Sequence, residues 1–152
     1  MDLENDLTRE WLDKLERYCA YQERSISDVK TKMYALKIPS IDMTSLLAKL
    51  VDDKFIDEER YARAFLRAKV HLKKDGLEKI RFALMKKGIN AHIISEVFCD
   101  LDQEAYNENL KGLIEKKWSS LLQKNETQEA KVKLIRFLLS KGYKYDAFKN
   151  LL

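Results

Sequence analysis

Residues 55–89, FIDEERYARAFLRAKVHLKKDGLEKIRFALMKKGI, decide how this chain is read. The segment opens with a helix start. Asp57 can accept the unpaired N–H groups of a first helical turn. Glu58 and Glu59 then put negative charge at the positive end of the helix dipole. From Arg60 to Lys74 the pattern is that of one amphipathic helix. At about 100° per residue, Tyr61, Phe65, Ala68 and Leu72 share one face, and Arg60, Arg63, Arg67, His71 and Lys74 share another. Gly76 interrupts the run. A second helix carries Leu77, Ile80 and Leu84 inward, and Gly88 stops it as a C′ glycine.

Charge is concentrated in the same place. Arg60 to Lys87 hold ten Lys or Arg against two acids, Asp75 and Glu78, a local +8 in a chain whose net charge is +4. The remainder is therefore net acidic. Such polarisation suggests a basic surface for an acidic partner; the alternative is the solvated face of an ordinary helix.

The pattern repeats. KIRFALMKKGINAHII, Lys79 to Ile94, lies over KLIRFLLSKGYKYDAF, Lys133 to Phe148, with Lys79 on Lys133, Leu84 on Leu138, Lys87 on Lys141, Gly88 on Gly142 and Ile94 on Phe148. Val29 to Leu50 has the same outline with a turn that is expected to be longer, containing Pro39 and no glycine. Each unit reads as long helix, medium helix, short helix. Stacked units bury apolar faces that one alone could not cover. The expected fold is all-α, an elongated tandem array of three three-helix repeats over residues 1–54, 55–100 and 101–152.

Taken in order, Met1 to Asn5 reads as a frayed end, and Asp6 or Thr8 as the cap of a helix running to about Gln22. Ser27 starts the next helix, with Val29, Met33 and Leu36 inward, and Asp42 caps a third carrying Leu46, Leu47 and Leu50. After Gly88, Asn90 caps a short helix with Ile93, Ile94, Val97 and Phe98 inward. Asp102 caps a long one to about Gln123. Thr127 starts the next, with Val132, Ile135, Leu138 and Leu139 inward, and Tyr145 to Leu152 is the last. Four glycines and one proline suit a helical chain. No alternating apolar run calls for a sheet. With no signal peptide and no apolar stretch of roughly 18 residues, a cytoplasmic, membrane-free monomer is expected. Cys19 and Cys99 read as buried thiols rather than a disulfide.

Four pieces in this order resemble the RecX family of bacterial recombination regulators: FIDEERYA (Phe55 to Ala62), the basic tract to Gly76 and Ile80, LMKKGI (Leu84 to Ile89) and KLIRFLLSKGY (Lys133 to Tyr143). The resemblance covers Val51 to Leu152 well and the first fifty residues in outline. It implies three tandem three-helix repeats. It also implies a function: RecX proteins bind the RecA–DNA filament, lodge in its helical groove and inhibit ATP-driven strand exchange. The family commonly has a further glycine before the one matching Gly76, and often a proline after it; Lys74 and Leu77 stand there in this sequence.

Candidate contacts with a RecA filament, or with single- and double-stranded DNA directly, are Arg60, Arg63, Arg67, Lys73 and Lys74 on the basic helix. The following helix offers Lys79, Phe82, Lys86 and Lys87. The third repeat offers Lys133, Arg136 and Lys141. Lys79, Phe82 and Lys86 share a face away from Leu77, Ile80 and Leu84, where an exposed aromatic between lysines would suit a partner; the alternative is that Phe82 packs on a neighbouring repeat. No catalytic, cofactor or metal role is assigned. Capping explains Asp52, Asp53, Asp57, Glu58 and Glu59 better than acid–base work does. His71, His92, Cys19 and Cys99 lack zinc spacing. No phosphate-binding glycine loop is present. Trp11 and Trp118 lie on apolar stripes and read as core.

Overall fold

The computed structural model describes residues 3–152, with side-chain environments from residue 5 onward. Among them nine α-helices form three units: α1 (Leu3–Tyr21), α2 (Ile26–Ala35) and α3 (Ser40–Asp52); α4 (Glu58–Ala68), α5 (Leu77–Lys86) and α6 (Ala91–Cys99); α7 (Gln103–Leu122), α8 (Thr127–Ser140) and α9 (Tyr145–Phe148). A 3₁₀ turn, Lys149–Leu151, follows α9. No strand occurs among the described residues. The all-α array of three-helix units is the one the repeat predicts.

Helix starts follow local chemistry, with shifts from expectation. Asp57, Asn90 and Asp102 cap as expected, accepting from the backbone N–H of Arg60, His92 and Ala105. Ser25 rather than Ser27 caps α2. Its hydroxyl accepts from Asp28 N while the Asp28 carboxylate accepts from Ser25 N, a reciprocal capping box. Pro39 occupies the cap of α3, and Asp42 lies in its first turn. Asp6 and Thr8 lie inside α1 rather than capping it. Of the expected frayed end, Met1 and Asp2 lie outside the described residues, and Leu3 to Asn5 are helical.

The three middle helices end alike. Lys37, Gly88 and Gly142 all take left-handed backbone, with φ of 58°, 81° and 98°. In each case the next N–H reaches back five residues: Ile38 to Met33, Ile89 to Leu84, and Tyr143 to Leu138. This is the Schellman end with its buried apolar follower, and Ile38, Ile89 and Tyr143 are all buried. The turn around Pro39 is therefore no longer than the others; Lys37 simply does without glycine.

The basic helix departs from expectation. It is α only to Ala68, then makes one wide π turn, Lys69–Lys73, and stops at Lys74 in left-handed conformation (φ 56°). The buried face is also offset from the expected stripe: Ala62, Leu66 and Val70, spaced four residues apart, are buried, while Ala68 and Leu72, expected inward, are exposed, Leu72 by 79%. Lys74 occupies the place where the resemblance implies a glycine, and adopts a glycine-like backbone there. Val132 and Leu139 are likewise exposed; Ala130, Leu134 and Leu138 face the core of α8. Cys19 is buried but Cys99 is exposed.

Apolar packing divides the chain unevenly. Leu15, Val29, Met33, Leu46, Leu50 and Ile56 centre one core, with Trp11 against it. A second, continuous core runs through the other two units, from Tyr61, Val70 and Leu84 to Tyr106, Leu138, Tyr143 and Phe148, with Trp118 against it. The second and third units are also joined through backbone. Gly76 has no side chain with which to cap α5, and the third unit supplies the missing acceptors. Gly76 N donates to Lys141 O (2.7 Å), Leu77 N to the Tyr106 hydroxyl (3.0 Å) and Glu78 N to Gly142 O (3.0 Å). Three of the four unpaired donors of a helix start are thereby satisfied. The Tyr143 hydroxyl donates in turn to Lys74 O (2.8 Å). Between the first and second units the named links are polar: Lys87 with Asp28 (2.6 Å), Arg60 with Glu23 (2.6 Å) and Ile26 N with Glu58 (3.4 Å).

Candidate partner-binding surface

The cations singled out in sequence divide into those tied within the chain and those left to solvent. Arg60 spans units: its Nε donates to Glu23 and its Nη2 to Lys54 O at the end of α3. The hydrogen bond to Glu23 raises its already high pKa further. Arg63 is held by Asp100 and by Glu59 (2.9 Å). Lys87 grips Asp28, and that hydrogen bond raises its pKa. Lys141 is turned inward, donating to Lys73 O (3.1 Å) and to the buried Asp75 (3.4 Å), which Lys79 also approaches at 3.6 Å. Lys133 donates to Asn125 (2.7 Å).

Arg67, Lys73, Lys74, Lys86 and Arg136 have no ion pair among the described residues, and all are exposed. Three of them, Arg67, Lys73 and Lys74, lie on or beside the π turn, and only the backbone carbonyl of Lys73 is taken up by Lys141. Beside Arg67 a depression of about 230 Å³ lies between α4, α6 and the start of α7, lined by Arg63, Arg67, His71, Asp100 and Asp102. Phe82 is 68% exposed, so it does not pack on a neighbouring repeat. Met85, also exposed and one turn along α5, extends the apolar patch between Lys79 and Lys86. Its position three residues from Phe82 was the available signal.

Linear charge counting missed a further group. Lys14, Arg17, Tyr18 and Tyr21 on α1, Arg24 in the following loop and Lys32 on α2 come together on the first unit. They are dispersed in sequence among acids, so no window of the chain shows them as basic. No group of three or more His, Cys, Asp or Glu side chains that could hold a metal lies among the described residues. No helix of the described chain is long and apolar enough to cross a membrane.

Models of the RecX family match the two basic units: its second three-helix domain over residues 57–97 and its third three-helix domain over residues 104–152. The chain is 37% identical over 133 residues to regulatory protein RecX of Clostridium botulinum strain Alaska E43, and 39% identical over 105 residues to that of Clostridium tetani. The chain belongs to the RecX family. These alignments cover 84% and 68% of this chain, and 61% and 47% of those two proteins. It therefore aligns with less than two thirds of the length of either relative.

Solved RecX structures share the fold. A crystal structure of regulatory protein RecX superposes with a TM-score of 0.88 at 23% identity, covering 96% of this chain and 73% of the other. RecX from Lactobacillus salivarius gives 0.83 at 24%, covering 96% and 94%. The match over residues 57–97 takes in α4, α5 and most of α6, and that over residues 104–152 takes in all but the first residue of α7, with α8 and α9. The exposed cations Arg67, Lys73, Lys74, Lys86 and Arg136 thus sit on the second and third RecX domains.

Proposed function

We propose that this RecX chain is a non-enzymatic, cytoplasmic regulator, acting as a monomer, that binds in the groove of the RecA–DNA filament and inhibits RecA's ATPase and strand exchange, modulating recombination and DNA repair. The observation that supports this most directly is the exposed basic surface of the second and third units, carried on a rigid body with one continuous core. Arg67, Lys73 and Lys74 would meet phosphates or acidic protein surface, and Phe82 with Met85 would supply an apolar anchor among the lysines of α5. Many weak contacts on one rigid body act together, so tight binding needs no deep pocket. A wedge in the groove would block entry of a second duplex and resist the protomer motions that accompany ATP turnover.

The test is binding to DNA alone, RecA alone and the assembled filament at near-physiological salt, with DNA-dependent ATPase measured beside it. Preference for the filament and a fall in ATPase are expected. Equal affinity for bare DNA and filament, with unchanged ATPase at saturating protein, would sink this reading. It would leave a basic helical module that binds DNA without a protein target, a reading the unpaired cations also favour.

A further inference from the structure

The first unit carries its own charged basin, apart from the surface just described. Lys14, Arg17, Tyr18, Tyr21, Arg24 and Lys32 line a shallow depression of about 380 Å³ between α1 and α2. The Arg24 guanidinium lies 3.8 Å from the Tyr18 ring centroid and 5.9 Å from that of Tyr21, and Lys32 Nζ lies 5.4 Å from the Tyr18 ring. Arg24 Nε also donates to Tyr18 O, which fixes the guanidinium over the ring. Of the four cations only Lys14 has an ion pair among the described residues, with Glu10 at 3.3 Å. Tyr21 is 83% exposed.

Like charges gathered in one basin repel, and an open aromatic ring beside them leaves apolar surface in water. A polyanion that also carries flat faces answers both conditions. We propose that this basin binds single-stranded nucleic acid, with phosphates on Arg17, Lys14 and Lys32 and an unstacked base against Tyr21 beside Arg24. Aromatic faces flanked by cations are the recurring means of holding a single strand without reading its sequence. A duplex keeps its bases stacked inside and cannot use Tyr21. An acidic peptide would use the cations but has no need of the ring. The basin belongs to a unit with a separate hydrophobic core, so the inference stands independently of the filament reading.

The experiment uses the full chain and a fluorescein-labelled oligothymidylate, with anisotropy read over a range of salt and no RecA present. Arg17→Glu with Lys32→Glu should weaken binding at least tenfold and lower the slope of log affinity against log salt by about 1.4, since each phosphate contact on a single strand contributes roughly 0.7. Arg24 is left in place because it also holds Tyr18 O. Tyr21→Ala should weaken oligothymidylate binding at least fivefold with the slope unchanged, and should not affect binding of an abasic strand of equal length. Tyr21→Phe should bind like the parent. Circular dichroism shows whether the charge variant folds; Tyr21 is solvent-exposed, so its truncation gives a reading even if the charge variant does not. Parental affinity in the folded charge variant overturns the proposal, whatever the filament assays give. So does Tyr21→Ala binding like the parent, because a basin that senses charge alone is no single-strand site. Binding of a labelled polyglutamate as tight as that of oligothymidylate would assign the basin to acidic protein instead.

Discussion

Gly76 and Gly142 meet backbone to backbone. A Cβ placed on Gly76 would lie 2.2 Å from the carbonyl carbon of Gly142, and one on Gly142 would lie 2.5 Å from Lys79 Cβ. The contact lets the carbonyls of Lys141 and Gly142 reach the first turn of α5, so steric fit and helix capping depend on the same two residues. Gly142 has a second reason to be glycine, its φ of 98°.

Gly76→Ala should destabilise the chain by about 3 kcal/mol or more, because backbone must move to admit the methyl group and the donors of α5 then lose their acceptors. Gly112→Ala is the contrast. It lies inside α7 with nothing within 4 Å of an added Cβ. That variant should gain about 0.5–1 kcal/mol from helix propensity. Urea midpoints measured on both variants check the pair; a tolerated Gly76→Ala would show that the crossing is loose.

Lys37 takes the left-handed position that glycine holds in the other two units. Lys37→Gly should therefore stabilise the first unit by a few tenths to about 1 kcal/mol, the relief of side-chain strain being offset partly by glycine's greater freedom when unfolded. Gly88→Ala, with open space around its Cβ, should cost about 1 kcal/mol through backbone alone. Thermal unfolding resolves opposite signs for the two changes.

Asp28 and Lys87 link the first two units and give the contact a pH window. Burial opposes ionisation of Asp28, but hydrogen bonds from Lys87 and Ser25 outweigh it and hold the carboxyl below its usual range. Stability from a lowered acid is present above its unfolded value and is lost as pH falls through the folded one. The Asp28 hydrogen bond raises Lys87, whose part is present below the ordinary lysine value and lost as pH rises through the raised one. The contact should hold from about pH 4 to about pH 10. Asp28→Asn should cost about 1 kcal/mol at neutral pH, since it removes the charged partner of Lys87 while the new amide oxygen can still accept from Ser25 N. In urea titrations the gap to the parent should narrow below the carboxylate range; a gap of constant size at pH 3 would count against the ion pair as its source.

Charge reversal on the exposed surface should spare the fold and weaken the partner. Arg67→Glu, Lys73→Glu and Arg136→Glu together should alter stability by no more than about 1 kcal/mol, having no ion pair to lose. They should weaken filament binding at least tenfold, since favourable charges become repulsive. Arg63 is unsuitable for such a set, because its loss would strand Asp100 and Glu59. A folded triple variant that binds the filament like the parent would show these cations to be merely solvated.

Periodicity and capping chemistry made most of the architecture readable. Asp57, Asn90 and Asp102 announced their helices, and the Gly88–Gly142 correspondence announced the repeat. What failed did so for physical reasons. A steady 100° step cannot register a π turn, and the stripe drawn through Tyr61, Phe65, Ala68 and Leu72 passed beside the face of Ala62, Leu66 and Val70 that the helix actually buries. A glycine search could not find the end of α2, because Lys37 takes the same backbone with a side chain. The surface was less legible than the fold. A count of positive charge cannot tell Arg67, facing water, from Lys141, folded back on Asp75. Nor can it see Arg17, Arg24 and Lys32 together when acids lie between them in the chain.

The capping of α5 by the third unit sets an order on how the chain can be completed during synthesis. The first unit has all of its core once Ile56 has emerged. The second unit does not become self-sufficient in the same way. When Lys86 leaves the ribosome, the N–H groups of Gly76 and Glu78 still await carbonyls some sixty residues downstream, at Lys141 and Gly142. Repetition in the sequence suggests three modules folding one after another. The backbone bonding instead gives one early module and a later pair that must mature together, with α5 provisional until the last tenth of the chain arrives.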